Sequence, residues 1–144
     1  MNLDTITINT NQYTATIINF GWIDCLACRI LDEVFEKSLI PKYQDKQNVF
    51  VGIFNTSDSL ERIKFFVKED FQKYYFMDKD FWNFENFGFS RFPQTIILDK
   101  QGKIVSLFSG FRNEFEDKYI SDISKVVDSL IVENNNSNWF QLFK

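Results

Sequence analysis

Cys25 and Cys28, the two cysteines of the chain, stand two residues apart in Trp22-Ile23-Asp24-Cys25-Leu26-Ala27-Cys28-Arg29, where strand-like patterning gives way to helical patterning. Two thiols so spaced can exchange with a disulfide. If a strand over 16–20 ends at Gly21 and a helix begins near Cys25, the first thiol lies at a helix N-terminus. Unpaired backbone N–H groups and the positive end of the macrodipole favour a thiolate there. Cys28 then lies one turn on, within bridging reach. Cys25 reads as the attacking sulfur and Cys28 as the resolving one. Half a zinc site, a structural disulfide and two inert buried thiols stand beside this reading. Zinc asks for two more Cys or His ligands, and the sequence has no histidine and no third cysteine. A bridge closing so short a loop would restrain the unfolded chain little.

The elements that must position this pair are legible in outline. Residues 3–8 alternate as a strand does, Asn9-Thr10-Asn11-Gln12 supplies turn chemistry, and 13–20 form a second strand, so a short N-terminal strand pair is expected. Over 26–39 the apolar residues Leu26, Ile30, Leu31, Val34, Phe35 and Leu39 recur at helical spacing. Asp32, Glu33, Glu36 and Lys37 are assigned to the opposite face. Pro41 should kink or end that helix, with a short continuation through Tyr43.

The apolar run 48–54 reads as an interior strand, and a helix is expected over 58–68 with caps at Thr56-Ser57-Asp58 and Leu60, Ile63, Phe66 and Val67 inward. A short strand over 74–77 follows. Residues 95–98 and 103–108, joined by a turn ending in Gly102, form the clearest hairpin. An amphipathic helix over 115–132 closes the domain through Phe115, Tyr119, Ile123, Val126, Val127 and Leu130. Strands interleaved with helices imply an α/β fold with a mixed central sheet flanked by helices. Residues 1–133 are taken as one domain. Asn134-Asn135-Asn136-Ser137-Asn138 is read as a break before an aromatic tail, 139–143, expected to fold back on the domain.

With 144 residues, 44% of them hydrophobic, the chain can bury one core, and its eighteen phenylalanines make that core aromatic. A formal charge of −4 without a basic cluster argues against a nucleic-acid surface. No stretch approaches the length of a membrane span, and Met1-Asn2-Leu3-Asp4 lacks the pattern of a secretory leader, so the chain as given is expected to be soluble. The segment 81–89, with Phe81, Trp82, Phe84, Phe87 and Phe89, reads either as core packing or as an aromatic rim beside the dithiol.

The order of elements resembles the thioredoxin-like superfamily, and within it the TlpA/ResA-like thiol–disulfide oxidoreductases, over roughly 13–132. Four features carry the likeness: Asn19-Phe20 ahead of the dithiol, Cys25-Leu26-Ala27-Cys28-Arg29, Phe92-Pro93-Gln94-Thr95, and the strand–Asp99–Gly102–strand hairpin. The resemblance implies a cis bond before Pro93, placed beside the dithiol, with the Phe92 backbone available to an extended substrate. Trp22, Phe92 and Pro93 are therefore the candidate substrate contacts, and Asn19, Asp24 and Arg29 the candidate modulators. It also implies a disulfide-containing protein substrate, an upstream thiol reductant, a monomer, a bacterial envelope location and a reducing role, with no metal or organic cofactor.

Departures from the pattern bear on the chemistry. Asp24 stands where the family commonly has Trp, and an acidic neighbour opposes a thiolate at Cys25 while Arg29 favours it. Leu31 stands where many relatives carry a proton-handling Glu. Asp24 is then the nearest substitute for the Cys28 proton, although helix capping is the plainer role for it. A peroxiredoxin-type peroxidase fits less well, because Trp22 stands where that chemistry needs Thr. From another class, a non-catalytic binding module would use the aromatic rim or the tail.

Overall fold

The computed structural model describes residues 7–44, 48–56 and 59–142, with side chains as far as residue 136. A five-stranded sheet in the order β3-β2-β1-β4-β5 is its frame, comprising β1 (Ala15–Trp22), β2 (Val49–Thr56), β3 (Tyr75–Met77), β4 (Gln94–Asp99) and β5 (Ile104–Ser109). The sheet is mixed, since β1 runs parallel to β2 and antiparallel to β4. Every residue of β1 except Trp22 is buried. That run has no alternation because both faces of the strand are covered.

Successive side chains on a strand point to opposite faces, and the core divides accordingly. Ile17, Val51, Ile53 and Ile97 face α1 (Leu26–Val34), α2 (Ile40–Tyr43) and α5 (Glu116–Leu142), which contribute Leu31, Val34, Ile40, Tyr43, Ile123 and Val127. Ile18, Phe20, Ile96 and Leu98 form the other face with Phe84, Phe54, Phe89 and Phe92. Here the excess of phenylalanine is put to use. Ring contacts run from Phe76 through Phe54, Phe20, Phe89 and Phe84 to Phe92, at centroid separations of 4.1 to 5.6 Å.

Several boundaries differ from the sequence expectation. At Pro41 the helix does continue as far as Tyr43, as expected, but by way of a π-helical turn, Phe35–Leu39, that joins α1 to α2, with the Ile40 N–H donating to the Phe35 carbonyl. Proline lacks an N–H and clashes with the carbonyl four residues back, and a widened turn relieves both faults. The helix after β2 is shorter than expected. It is α3 (Leu60–Phe66), capped by the Ser59 hydroxyl, which accepts from the Arg62 N–H at 3.4 Å.

Thr56 is the last residue of β2, and its hydroxyl donates to the Gly21 carbonyl at 3.1 Å, while the other expected caps, 57 and 58, lie outside the described residues. Phe66, expected inward, is exposed. Phe115 precedes α5 in a 3₁₀ turn and is exposed as well. At the N-terminus a 3₁₀ turn capped by Asn9 leads into β1. The first strand of the expected N-terminal pair falls mostly on residues 1–6, outside the described residues, and 7–9 are not in a strand.

The Asn-rich segment is also different. α5 runs unbroken through 134–138, so the expected break is helix. Asparagine costs a helix only tenths of a kcal/mol per residue, and with no Gly or Pro between 116 and 142 nothing stops propagation. The side chains expected to fold back, 139–143, are outside the description. Among the described residues no helix is long and apolar enough to cross a membrane.

Phe35 is fully buried in the widened turn, between sheet and helix. Phe35→Ala should cost about 3–5 kcal/mol, read as a lowered midpoint in denaturant unfolding at unchanged slope.

Candidate active site

Gly21 and Trp22 end β1, a tight turn donates the Cys25 N–H to the Trp22 carbonyl at 2.9 Å, and α1 starts at once. Cys25 is the N-cap. Its backbone is extended, and its sulfur accepts the Cys28 N–H at 3.2 Å. This contact satisfies one of the unpaired N–H groups at the helix start, and a thiolate would accept it more strongly than a thiol. The two cysteines form a disulfide with their Cα atoms 5.2 Å apart. Cys25 is partly exposed and Cys28 fully buried, so an incoming partner can reach only the first sulfur.

The surroundings of Cys28 depend on Gly21. A Cβ built there would lie 3.3 Å from Cys28 Cβ, 3.9 Å from Cys28 Sγ and 3.8 Å from Asp32 Oδ1. Having no side chain, Gly21 lets the first turn of α1 settle onto the strand, and the resolving sulfur and a carboxylate border the same point. Asp32 is one helical turn beyond Cys28 and buried, not on the solvent face to which the sequence pattern assigned it. It is paired, accepting from Asn19 Nδ2 at 3.0 Å. Burial pushes its carboxyl up to about 8; the Asn19 hydrogen bond pulls against that and the nearby Glu36 charge adds to it.

Asp32 is the residue that sequence reasoning missed. The signal was present in Asn19, a polar residue inside an apolar strand, and an acid at i+4 from the second cysteine. Buried polar groups find partners, so each called for one, though not for the other in particular.

The other candidates fall as follows. Asn19 is fully buried, and its Oδ1 also accepts from Thr95 Oγ1 at 3.0 Å. Asp24 does not cap α1, because the Cys25 sulfur occupies that role; it forms a surface ion pair with Arg62 of α3 instead. Arg29 places its guanidinium 5.5 Å from the Phe66 ring centroid, an aromatic contact towards α3. Trp22 is exposed, with its ring 6.5 Å from that of Phe92. The Phe92–Pro93 bond is cis, and Pro93 is buried.

The aromatic segment is split between core and rim. Phe84 is buried and stacks on Phe92 at 4.1 Å, while Phe81 and Trp82 are exposed. Asp78 holds the segment by accepting from the backbone N–H groups of Asn83 and Phe84 at 2.8 and 3.0 Å, and Asp80 and Phe81 take left-handed backbone conformations.

Two cavities flank this centre. A groove of about 500 Å³ runs from Ala27, between the cysteines, past Phe92 and Pro93 to Phe111, Arg112 and Tyr119. On the opposite side a cleft of about 420 Å³ between α1 and α3 reaches Asp32 past Arg29, Glu36, Phe66 and Tyr75. The buried carboxyl therefore borders a cleft separate from the groove at Ala27 and Pro93.

No family model matches the sequence, and no curated protein matches it. Solved structures do. The thioredoxin domain of a thiol-disulfide oxidoreductase from Bacteroides vulgatus superposes with a TM-score of 0.68 at 20% identity, covering 86% of this chain and 86% of that one. A thiol:disulfide interchange protein from Bacteroides sp. gives 0.68 at 19% identity over 87% and 80%. StoA from Bacillus subtilis gives 0.56 at 15% over 74% and 81%. With its mixed sheet and the dithiol at the head of α1, the chain has the thioredoxin-like fold.

Asp32 makes stability depend on pH. Its folded value, about 8, is above the unfolded value of about 3.9, so the folded state binds the proton more tightly. That contribution is fully present below pH ~4 and is lost as pH rises through about 8. Asp32→Asn should leave the oxidised protein more stable than wild type at pH 9, by an amount on the order of a few kcal/mol, with the gap closing towards pH 4 in parallel denaturation series.

Proposed function

We propose that this chain is a thiol–disulfide oxidoreductase that exchanges its Cys25–Cys28 pair with disulfides of protein partners, working in the reducing direction. The observation that carries the reading is the asymmetry of the pair: the capping sulfur is reachable, and the inner sulfur is buried, bordering beside Gly21 the same point as the Asp32 carboxyl. The names of the structural neighbours, which include a thiol:disulfide interchange protein, support the same chemistry.

In the reduced protein the Cys25 thiolate attacks one sulfur of a substrate disulfide. A bond forms from Cys25 to that sulfur, the substrate S–S bond breaks, and the other substrate sulfur leaves as thiolate. Cys28 then gives its proton to Asp32 and attacks Cys25. The Cys25–Cys28 bond forms, the mixed disulfide breaks, and the second substrate thiolate departs. Two electrons have passed to the substrate, and an upstream thiol protein returns the dithiol. A carboxyl whose proton affinity burial has raised to about 8 is a stronger base, when ionised, than an ordinary carboxylate and so a better acceptor for a thiol's proton. Trp22, Phe92 and Pro93, with exposed Phe81 and Trp82, form the apolar surface that receives the substrate chain.

Cys28→Ser should accumulate a mixed disulfide on Cys25 when offered a disulfide-bonded protein, detected as a mass adduct that dithiothreitol removes. Absence of an adduct, while wild type reduces the same substrate, would sink the assigned order. Equilibration with glutathione or dithiothreitol buffers should place the couple near about −270 mV; a value near about −120 mV would reverse the direction. Asp32→Asn should slow resolution at pH 7 by roughly 10- to 100-fold and leave the attack of Cys25 little changed.

A further inference from the structure

Asn19 does not hold Asp32 alone. Its Oδ1 accepts from Thr95 Oγ1 at 3.0 Å, across the β1–β4 pair in which the two residues stand opposite each other. Thr95 Oγ1 is in turn in short hydrogen-bonding contact with the Tyr119 hydroxyl, from the first turns of α5. Thr95 has one hydroxyl proton, and it is given to Asn19. Tyr119 must therefore be the donor to Thr95.

The chain then has a single polarity. Tyr119 O–H donates to Thr95, Thr95 O–H donates to the Asn19 carbonyl oxygen, and the Asn19 amide donates to Asp32 Oδ1. Every donor points towards the carboxylate, and bonds aligned this way polarise one another. Burial pushes the Tyr119 phenol well above its ordinary range, so it remains a donor throughout the working pH range. The far end of the chain is not in the core. Tyr119 lines the groove that begins at Ala27 and Pro93, where its ring is held by Phe108 and Phe111 at 5.7 and 5.3 Å.

We propose that Tyr119 and Thr95 are positioning residues for the redox step. Through Asn19 they fix the proton affinity of Asp32, and hence the pH at which Cys28 resolves the mixed disulfide, from the wall of the substrate groove. This rests on the reading of Asp32 as the acceptor of the Cys28 proton. The relay acts against a defined background. Asp32 also faces Glu36 on its own helix and the Tyr75 hydroxyl from β3, which donates to Glu36 at 2.9 Å, and Arg29, Glu33, Lys37 and Lys68 line the cleft outside. Those groups are on the α1–α3 side. Among the described residues of β1, β4 and α5, the groups hydrogen-bonded towards the carboxyl are the neutral donors of the relay.

Removing a donor from the relay leaves the anion less stabilised, so Asp32 should hold its proton to higher pH. The test is a ¹³C titration of the Asp32 carboxyl in the oxidised protein, run beside the pH–rate profile for reduction of a disulfide-bonded protein. Wild type should titrate at about 8. Thr95→Val, nearly isosteric, should move the midpoint up by about half to one pH unit, Tyr119→Phe by roughly half of that, and the rate profiles should follow. Thr95→Ser, which keeps the hydroxyl, should restore the wild-type midpoint. A merely structural role for these side chains would change stability without moving the midpoint.

Asp32→Asn separates the two ideas. If it leaves the pH–rate profile untouched, Asp32 is not the proton acceptor and the relay has no catalytic consequence. If it removes the pH dependence while Thr95→Val and Tyr119→Phe leave the Asp32 midpoint where it was, the relay alone is wrong.

Discussion

The close approach of α1 to the end of β1 is the constraint on which the rest of the site depends. Gly21 has no side chain, so the first helical turn comes down until Cys28 and Asp32 border the space a Cβ would fill. That contact buries one sulfur of the pair and leaves the other at the helix terminus. It also takes a carboxyl out of water, and the protein compensates with a hydrogen bond from a strand residue, not with a counter-charge. A neutral partner leaves the carboxyl able to exchange a proton, where an ion pair would hold it ionised.

The same logic runs through the sheet. Apolar residues fill the middle of the α1 face, Ile17, Val51 and Ile97, but towards one end of β1 they give way to Asn19 and its cross-strand neighbour Thr95. A buried polar pair is costly unless every member is satisfied, and here each finds the next until the series reaches Tyr119 at the groove. The opposite face is mainly aromatic, with Gln94 donating to Ser109 Oγ at its edge. Phenylalanine rings from β1, β2, β3 and the segment before Pro93 pack in tilted, edge-on and stacked pairs and reach the site through Phe84 and Phe92. The dithiol is therefore carried between an apolar layer on one face of the sheet and a hydrogen-bonded polar series on the other.

Much of this was legible in the residues. The C-x-x-C pair at a strand-to-helix transition, the interior run before the second helix and the Gly102 hairpin are local patterns, and short-range stereochemistry decides them. Pro41 was correctly seen as a perturbation, yet its effect was a π turn, because apolar residues on both sides, Phe35, Leu39, Ile40 and Tyr43, gain more by staying in the core than the helix loses at one bond. The Asn-rich run near the C-terminus misled in the opposite sense: composition suggested a break where each residue merely had a weak preference and the preceding helix supplied the nucleus.

The sequence by itself determined the cysteine pair, its place at the head of a helix and the alternation of elements that presents it. These follow from covalent spacing and helical or strand period, quantities fixed within a few residues. The tertiary structure alone decided which carboxyl lies buried near the pair. Asp24, adjacent in sequence, is drawn to Arg62 at the surface, while Asp32, on a helix face that looked solvated, is turned inward onto Asn19. Asn19 and Asp32 are thirteen residues apart, and Asn19 and Thr95 seventy-six. Their meeting depends on how a helix sits on a sheet, and a proton responds to burial and to partners in space, neither of which is written in the local order of residues.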